Sequence, residues 1–156
     1  MSRRRRAEPR IIAPDPHYNN LLLARFINRA MLKGKKSTAQ RFVYKALDII
    51  REESRRDPME IFELAIKNAT PIVEVKPRRI GGATYQVPTE LRPNRSEALG
   101  MRWIIRGARA RKGSPMRRRL ANEFLEASRG EGSAVRRREE LHRMADANRA
   151  FVHYRR

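Results

Sequence analysis

With 156 residues, 40% of them hydrophobic, the chain can build one modest core and is expected to form a single domain over residues 1–156. Its 37 basic and 17 acidic residues give a net charge of +20, so an isolated globule repels itself and calls for a polyanion, with nucleic acid the first candidate. The absence of cysteine excludes disulfides, thiolate metal sites and thiol catalysis, and no apolar run approaches the ~20 residues of a membrane span.

Residues 1–18 carry Arg3, Arg4, Arg5, Arg6 and Arg10, while Pro9, Pro14 and Pro16 interrupt any helix. The segment reads as an extended basic arm; the alternative is a solvated tail that only aids solubility. It lacks the apolar region of a signal peptide, so a cytoplasmic location is expected. From Asn20 to Met31 the residues Leu22, Leu23, Phe26, Ile27, Ala30 and Met31 recur at helical spacing, with Asn19 or Asn20 as cap and Gly34 as terminator. The following Lys33-Gly-Lys-Lys-Ser37 has neither the first glycine nor the preceding strand of a phosphate-binding loop. It places three lysines at the mouth of a helix, where charge and free N–H groups favour a backbone phosphate.

Ser37-x-x-Gln40 starts a second helix with Phe42, Val43, Ala46, Leu47 and Ile50 on its buried face. Asp57-Pro58-x-Glu60 starts a third, which buries Ile61, Phe62, Ala65 and Ala69 and stops at Pro71. From Asp48 to Glu63 six acids face three bases, so this surface is expected to point away from the polyanion. Period two then replaces the helical period: Val73 and Val75 alternate with Glu74 and Lys76, and Tyr85 and Val87 with Gln86. Gly81 and Gly82 can both take the positive φ of a tight turn, which makes residues 72–88 a β-hairpin. Pro77 and Pro88 confine its strands to an edge or a free ribbon, and Lys76, Arg78 and Arg79 suit it to nucleic acid.

Asn94-x-x-Glu97 begins a fourth helix that turns Ala98, Met101, Ile104, Ile105 and Ala108 inward. Gly100 and Gly107 each weaken it by ~1 kcal/mol relative to alanine, for which close helix contact is the simplest reason. Ser114-Pro115 opens a fifth helix, with Leu120, Ala121, Phe124 and Leu125 inward and Gly130 at its end, and Ser133 opens a sixth with Val135, Leu141 and Ala145 on one side. Residues 148–156 form a short amphipathic tail that could pack on a neighbour or on RNA. Between Arg92 and Arg119 ten bases accompany one acid, Glu97, with Arg95, Arg102, Arg106 and Arg109 at the spacing of one helical stripe.

Chemistry has no foothold in this pattern. His17, His142 and His153 share no metal-ligand or triad spacing, Glu139 and Glu140 diverge on a helix, and no cofactor loop is present, so no enzyme, cofactor, metal or small-molecule substrate is expected.

The stretches Ala13–Tyr18, Lys33–Thr38, Arg78–Pro88, Ala98–Ile104, Leu120–Glu123 and His142–Phe151 resemble, in order and spacing, the small-subunit ribosomal protein seven (uS7) family of bacterial or organellar type. The resemblance implies a mainly α fold, a bundle of six helices with one protruding β-hairpin between the third and fourth, in agreement with the count above. It also implies a structural constituent of the small ribosomal subunit that binds the 3′ domain of its rRNA, nucleates head assembly and lies at the exit site. Carried onto matching positions, the implied rRNA-binding residues are Arg3, Arg4, Arg5, Arg6, Arg10, Lys35, Lys36, Lys76, Arg78, Arg79, Arg92, Arg95, Arg111, Lys112, Met116 and Arg119. Gly81, Gly82, Ala83, Thr84, Tyr85 and Arg143 are placed by the same resemblance near mRNA and exit-site tRNA. Neighbouring proteins of the head and platform are further implied partners, and repression of its own message a further implied function. The competing readings are a DNA-compacting or general coating protein, for which charge alone suffices, and an RNA-modifying enzyme, for which no residues present themselves.

Overall fold

Asn20 begins the first helix, α1 (Leu21–Ala30), by accepting the Leu23 N–H at 3.0 Å through its side chain. The helix buries Leu23, Phe26, Ile27 and Ala30 and ends where Met31 turns extended, three residues before Gly34. Upstream, Asp15 is buried and accepts the N–H groups of His17 at 3.1 Å and Tyr18 at 3.2 Å. The last part of the predicted extended arm is therefore a turn. The chain is described here by a computed structural model covering residue 8 and residues 10–155; Arg3, Arg4, Arg5 and Arg6 lie outside the described residues. It divides into two compact units, Met1–Gln40 and Arg41–Arg156, with the boundary inside α2 (Lys36–Ser54).

In the second unit, α2 buries Val43, Ala46, Leu47 and Ile50. Helix α3 (Pro58–Ala69) starts as the sequence predicts, with the Asp57 carboxylate accepting the Met59 N–H at 2.9 Å and Pro58 in the first turn. Then come the strands β1 (Val73–Ile80) and β2 (Ala83–Glu90), and the helices α4 (Pro93–Ala110), α5 (Met116–Ser128) and α6 (Gly132–Ala147). A 3-10 helix, Arg149–Arg155, closes the described chain. The fold is mainly helical with one two-stranded antiparallel hairpin after α3, and no helix among the described residues is long and apolar enough to cross a membrane.

Helices α3, α4, α5 and α6 pack on one another around Phe62 and Phe124, whose rings meet edge to face 5.4 Å apart. Asn68 of α3 locks the arrangement by donating its amide to the carbonyls of Ala127 at 2.9 Å and Ser128 at 3.1 Å at the C-terminal end of α5. The two glycines of α4 sit at its closest approaches. A Cβ on Gly100 would lie 2.8 Å from the Thr70 hydroxyl, and one on Gly107 would collide with the Ser133 hydroxyl and stand 2.6 Å from a Glu123 carboxylate oxygen. Close contact is thus the reason for both, and α4 runs unbroken through them.

Four predicted caps are replaced. Ser37 lies inside α2, which starts at Lys36 with the Ala39 N–H on the Lys35 carbonyl at 3.3 Å. Asn94 lies inside α4, which starts at Pro93 after Arg92 without a side-chain cap, and Pro115 rather than Ser114 precedes α5, also uncapped by a side chain. At α6 the Ser133 side chain does not bond its own helix. Its hydroxyl donates to Glu123 of α5 at 2.7 Å, and the same carboxylate oxygen accepts the Ala134 N–H at 3.1 Å. The start of α6 is therefore capped by an acid from another helix, a tertiary contact that no local pattern encodes.

Candidate nucleic-acid interface

The hairpin turns on Gly81 and Gly82, at φ 55° and 92°, the two left-handed residues of a tight two-residue turn. Val73 pairs with Glu90 at the base and Ile80 with Ala83 at the tip, so the ribbon is about 25 Å long at ~3.3 Å per residue. The sheet has two strands among the described residues, and Pro77 and Pro88, opposite Gln86 and Val75, therefore interrupt no central strand. Paired residues share a face, which puts Arg78 with Tyr85 on one side and Arg79 with Thr84 on the other. Lys76, Arg78, Arg79, Gly81, Gly82, Ala83 and Thr84 are all exposed.

At the root, Glu74 is buried and binds the start of α4. Its Oε2 accepts from Arg95 Nε at 2.9 Å and from a second Arg95 nitrogen at 2.8 Å, while Lys76 Nζ lies 2.9 Å from Oε1. The Leu91 N–H donates to the Ile72 carbonyl at 3.0 Å, and the Ile72 N–H to the His142 ring of α6 at 3.2 Å. Burial pushes the Glu74 carboxyl up, but pairing with Arg95 and Lys76 outweighs it and holds the group below its ordinary value of 4.5. A carboxylate lowered on folding contributes stability above that value and loses it as the pH falls through the lower folded one. Wild type should therefore lose stability relative to Glu74→Gln as the pH falls from 5 to 3, by about 1 kcal/mol or less because both bases stay half in solvent. Parallel acid-unfolding curves of the two proteins would disprove this.

Several of the predicted rRNA-binding residues have work within the fold. Arg111 is half-buried, pairing with Glu123 at 2.8 Å and Glu126 at 2.5 Å. Its hydrogen bond to Glu126 outweighs burial and, with Glu123, strengthens its hold on the proton. Arg119 donates to the Arg111 carbonyl at 2.6 Å and to the Ser114 carbonyl, pinning the link between α4 and α5. Lys112 is exposed on that link, and Met116 is half-buried in the first turn of α5. Arg92 and Arg95 stand exposed at the root of the hairpin, so with Lys76, Arg78 and Arg79 they form one basic run along the ribbon and into α4. In the first unit, Lys35 and Lys36 are exposed where α1 passes to α2, and Arg10 is exposed in the coil before Asp15. Arg143 is exposed on α6.

Tyr85 is not free at the tip of an empty ribbon. Its ring lies 5.2 Å from Phe151 and 5.4 Å from Tyr154, so the tail folds back on β2. The sequence carries the aromatics Tyr85, Phe151 and Tyr154 as a signal of this contact, too far apart in the chain for a local pattern to join. Glu123 was equally overlooked as a structural residue. It is an acid three residues after Leu120 and one before Phe124, on the buried stripe of an otherwise apolar helix face.

Comparison with known proteins gives a consistent result along almost the whole chain. The family described as ribosomal protein S7p/S5e matches residues 2–149. Small ribosomal subunit protein uS7 of Dehalococcoides mccartyi is 57% identical over 155 residues, and that of Dictyoglomus turgidum 55% over 155, with 99% of each chain covered in both comparisons. The uS7 protein of Thermotoga petrophila is 54% identical over 153 residues, covering 98% of this chain and 99% of its own.

Proposed function

The chain belongs to the ribosomal protein S7p/S5e family, as a structural constituent of the small ribosomal subunit and not an enzyme, and from this we propose that it is a primary binder of the 3′ domain of small-subunit rRNA. It nucleates assembly of the subunit head by binding, with no bond made or broken. The observation that supports this most is the exposed basic run from Lys76 through Arg78 and Arg79 to Arg92 and Arg95, fixed to the helices through Glu74. Arginine and lysine neutralise phosphates where RNA helices converge, releasing counterions, while the ribbon fits a groove whose shape the RNA supplies. Lys35, Lys36 and Lys112 add phosphate contacts, and the Gly81–Tyr85 tip and Arg143 approach mRNA and exit-site tRNA. The tail approaches a neighbouring platform protein. The acidic surface of Asp48, Glu52, Glu53, Asp57, Glu60 and Glu63, all exposed, faces away from RNA.

A competition titration tests the reading. Labelled head-junction rRNA is bound by the protein at about 0.15 M salt, which suppresses the purely electrostatic part of binding, and is challenged with unrelated duplex RNA and DNA. The expected result is retention of the junction RNA against a hundredfold or greater excess of either competitor. Equal competition by all three would replace the assembly role with that of a general coating protein. Repression of its own message would follow from an rRNA-like fold in the leader, and a leader reporter indifferent to excess protein would end that proposal.

A further inference from the structure

Between α4 and α6 lies a groove of about 250 Å³ lined by Trp103, Arg106, Gly107, Ala110, Ser133 and Arg137. It exists because Gly107 must be bare: Ser133 and Glu123 come too close for a Cβ, so the turn of α4 following Trp103 carries no side chain to cover the indole. Ala110 continues the gap, and the indole is left half-exposed. Arg106 and Arg137 are exposed along the groove, and Arg137 pairs with Glu140, 3.0 Å away and itself half in solvent, a pair too weak to withhold the guanidinium from a stronger anion.

We propose that this groove takes one unstacked nucleobase, laid against the Trp103 indole, with its flanking phosphates on Arg106 and Arg137. The reading rests on the chain being an RNA binder, and adds to it a base-stacking site outside the hairpin and its root. The volume is below the roughly 300–1,000 Å³ of sites that enclose drug-sized ligands, so it fits a flat ring and leaves sugar and phosphate outside. Aromatic faces accept any base, and a guanidinium stacks on the same ring system while holding phosphate, so an exposed indole flanked by two arginines suits single-stranded nucleic acid. The net charge of +20 favours that occupant over a basic or neutral peptide.

Trp103 is the single tryptophan of the chain, so its fluorescence reports on the groove alone. The full chain is titrated with a mixed-sequence single-stranded RNA hexamer, with an abasic hexamer of equal charge, and with an acidic peptide containing tyrosine. The hexamer is expected to quench Trp103 strongly and the abasic strand hardly at all. Trp103→Ala should weaken hexamer binding about tenfold, and Trp103→Phe should restore most of that. Equal quenching by the abasic strand, quenching by the peptide alone, or unchanged hexamer affinity in Trp103→Ala would each overturn the proposal. The wild-type titration does not depend on whether the variants fold. Binding of head-junction rRNA is measured in parallel: a silent Trp103 with selective junction binding removes only the groove, whereas loss of junction selectivity removes the rRNA reading whatever the tryptophan does.

Discussion

Replacing Glu123 with alanine should lower the unfolding free energy by about 3 kcal/mol. The side chain is fully buried, yet all of its partners are polar. One oxygen accepts from Ser133 at 2.7 Å and from the Ala134 N–H at 3.1 Å, and the other from two Arg111 nitrogens at 3.2 and 2.8 Å. Truncation leaves the first turn of α6 uncapped, strands the Ser133 hydroxyl beside Gly107, and deprives a half-buried Arg111 of one of its two carboxylates. Glu126 remains on Arg111 at 2.5 Å, which is why the expected loss lies at the lower end of the range for broken buried pairs. Glu123→Gln keeps the shape and one acceptor oxygen, and should cost less than Glu123→Ala. Urea unfolding of the three proteins decides it: if the alanine variant unfolds within about 0.5 kcal/mol of wild type, Glu123 is not the tie between α4, α5 and α6.

The elements of this fold were legible wherever the signal was local. Alternation and Gly81-Gly82 mark the hairpin, Asp57-Pro58 the start of α3, and apolar spacing most of the buried positions of the six α-helices, though Leu22, Phe42, Ala98, Leu125 and Leu141 are only half-buried. Ser37, Asn94, Ser114 and Ser133 do not cap the helices they were expected to start, because an N-cap motif shows only that a side chain could reach its own helix. At α6, Glu123 reaches there first and takes both Ser133 and the Ala134 N–H. The basic run was equally visible, but charge counting treats every arginine alike. Arg111 and Arg119 hold α4 to α5 through carboxylates and carbonyls, whereas Arg78 and Arg79 extend from an exposed ribbon, and only tertiary placement separates the two kinds. Gly107 links the two outcomes. In sequence it is a weak point in a helix; in the fold it admits Glu123 and opens the groove beside Trp103.

Reversing both arginines of the ribbon, Arg78→Glu with Arg79→Glu, should weaken binding of head-junction rRNA about a hundredfold at ~0.15 M salt. Each phosphate contact contributes roughly 0.7–0.9 to the slope of log affinity against log salt, so losing two contacts lowers the slope by about 1.5, and the introduced carboxylates add repulsion of similar size. Helical content and unfolding midpoint should hardly move, since both positions are exposed and lie four or more residues beyond the Glu74 root. The single reversals carry further information. Arg78 shares its face with Tyr85, on which Phe151 and Tyr154 rest, while Arg79 lies on the opposite face with Thr84. If RNA meets the ribbon on the face the tail leaves open, Arg79→Glu should cost more than Arg78→Glu, and removing the tail aromatics with Phe151→Ala and Tyr154→Ala should narrow that gap. Equal effects of the single reversals would mean that both faces lie in the groove and that the tail moves aside on binding. An unchanged affinity in the double reversal would detach the hairpin from rRNA anchoring and leave that role to the root at Arg92 and Arg95 and to the lysines of the loop between α1 and α2.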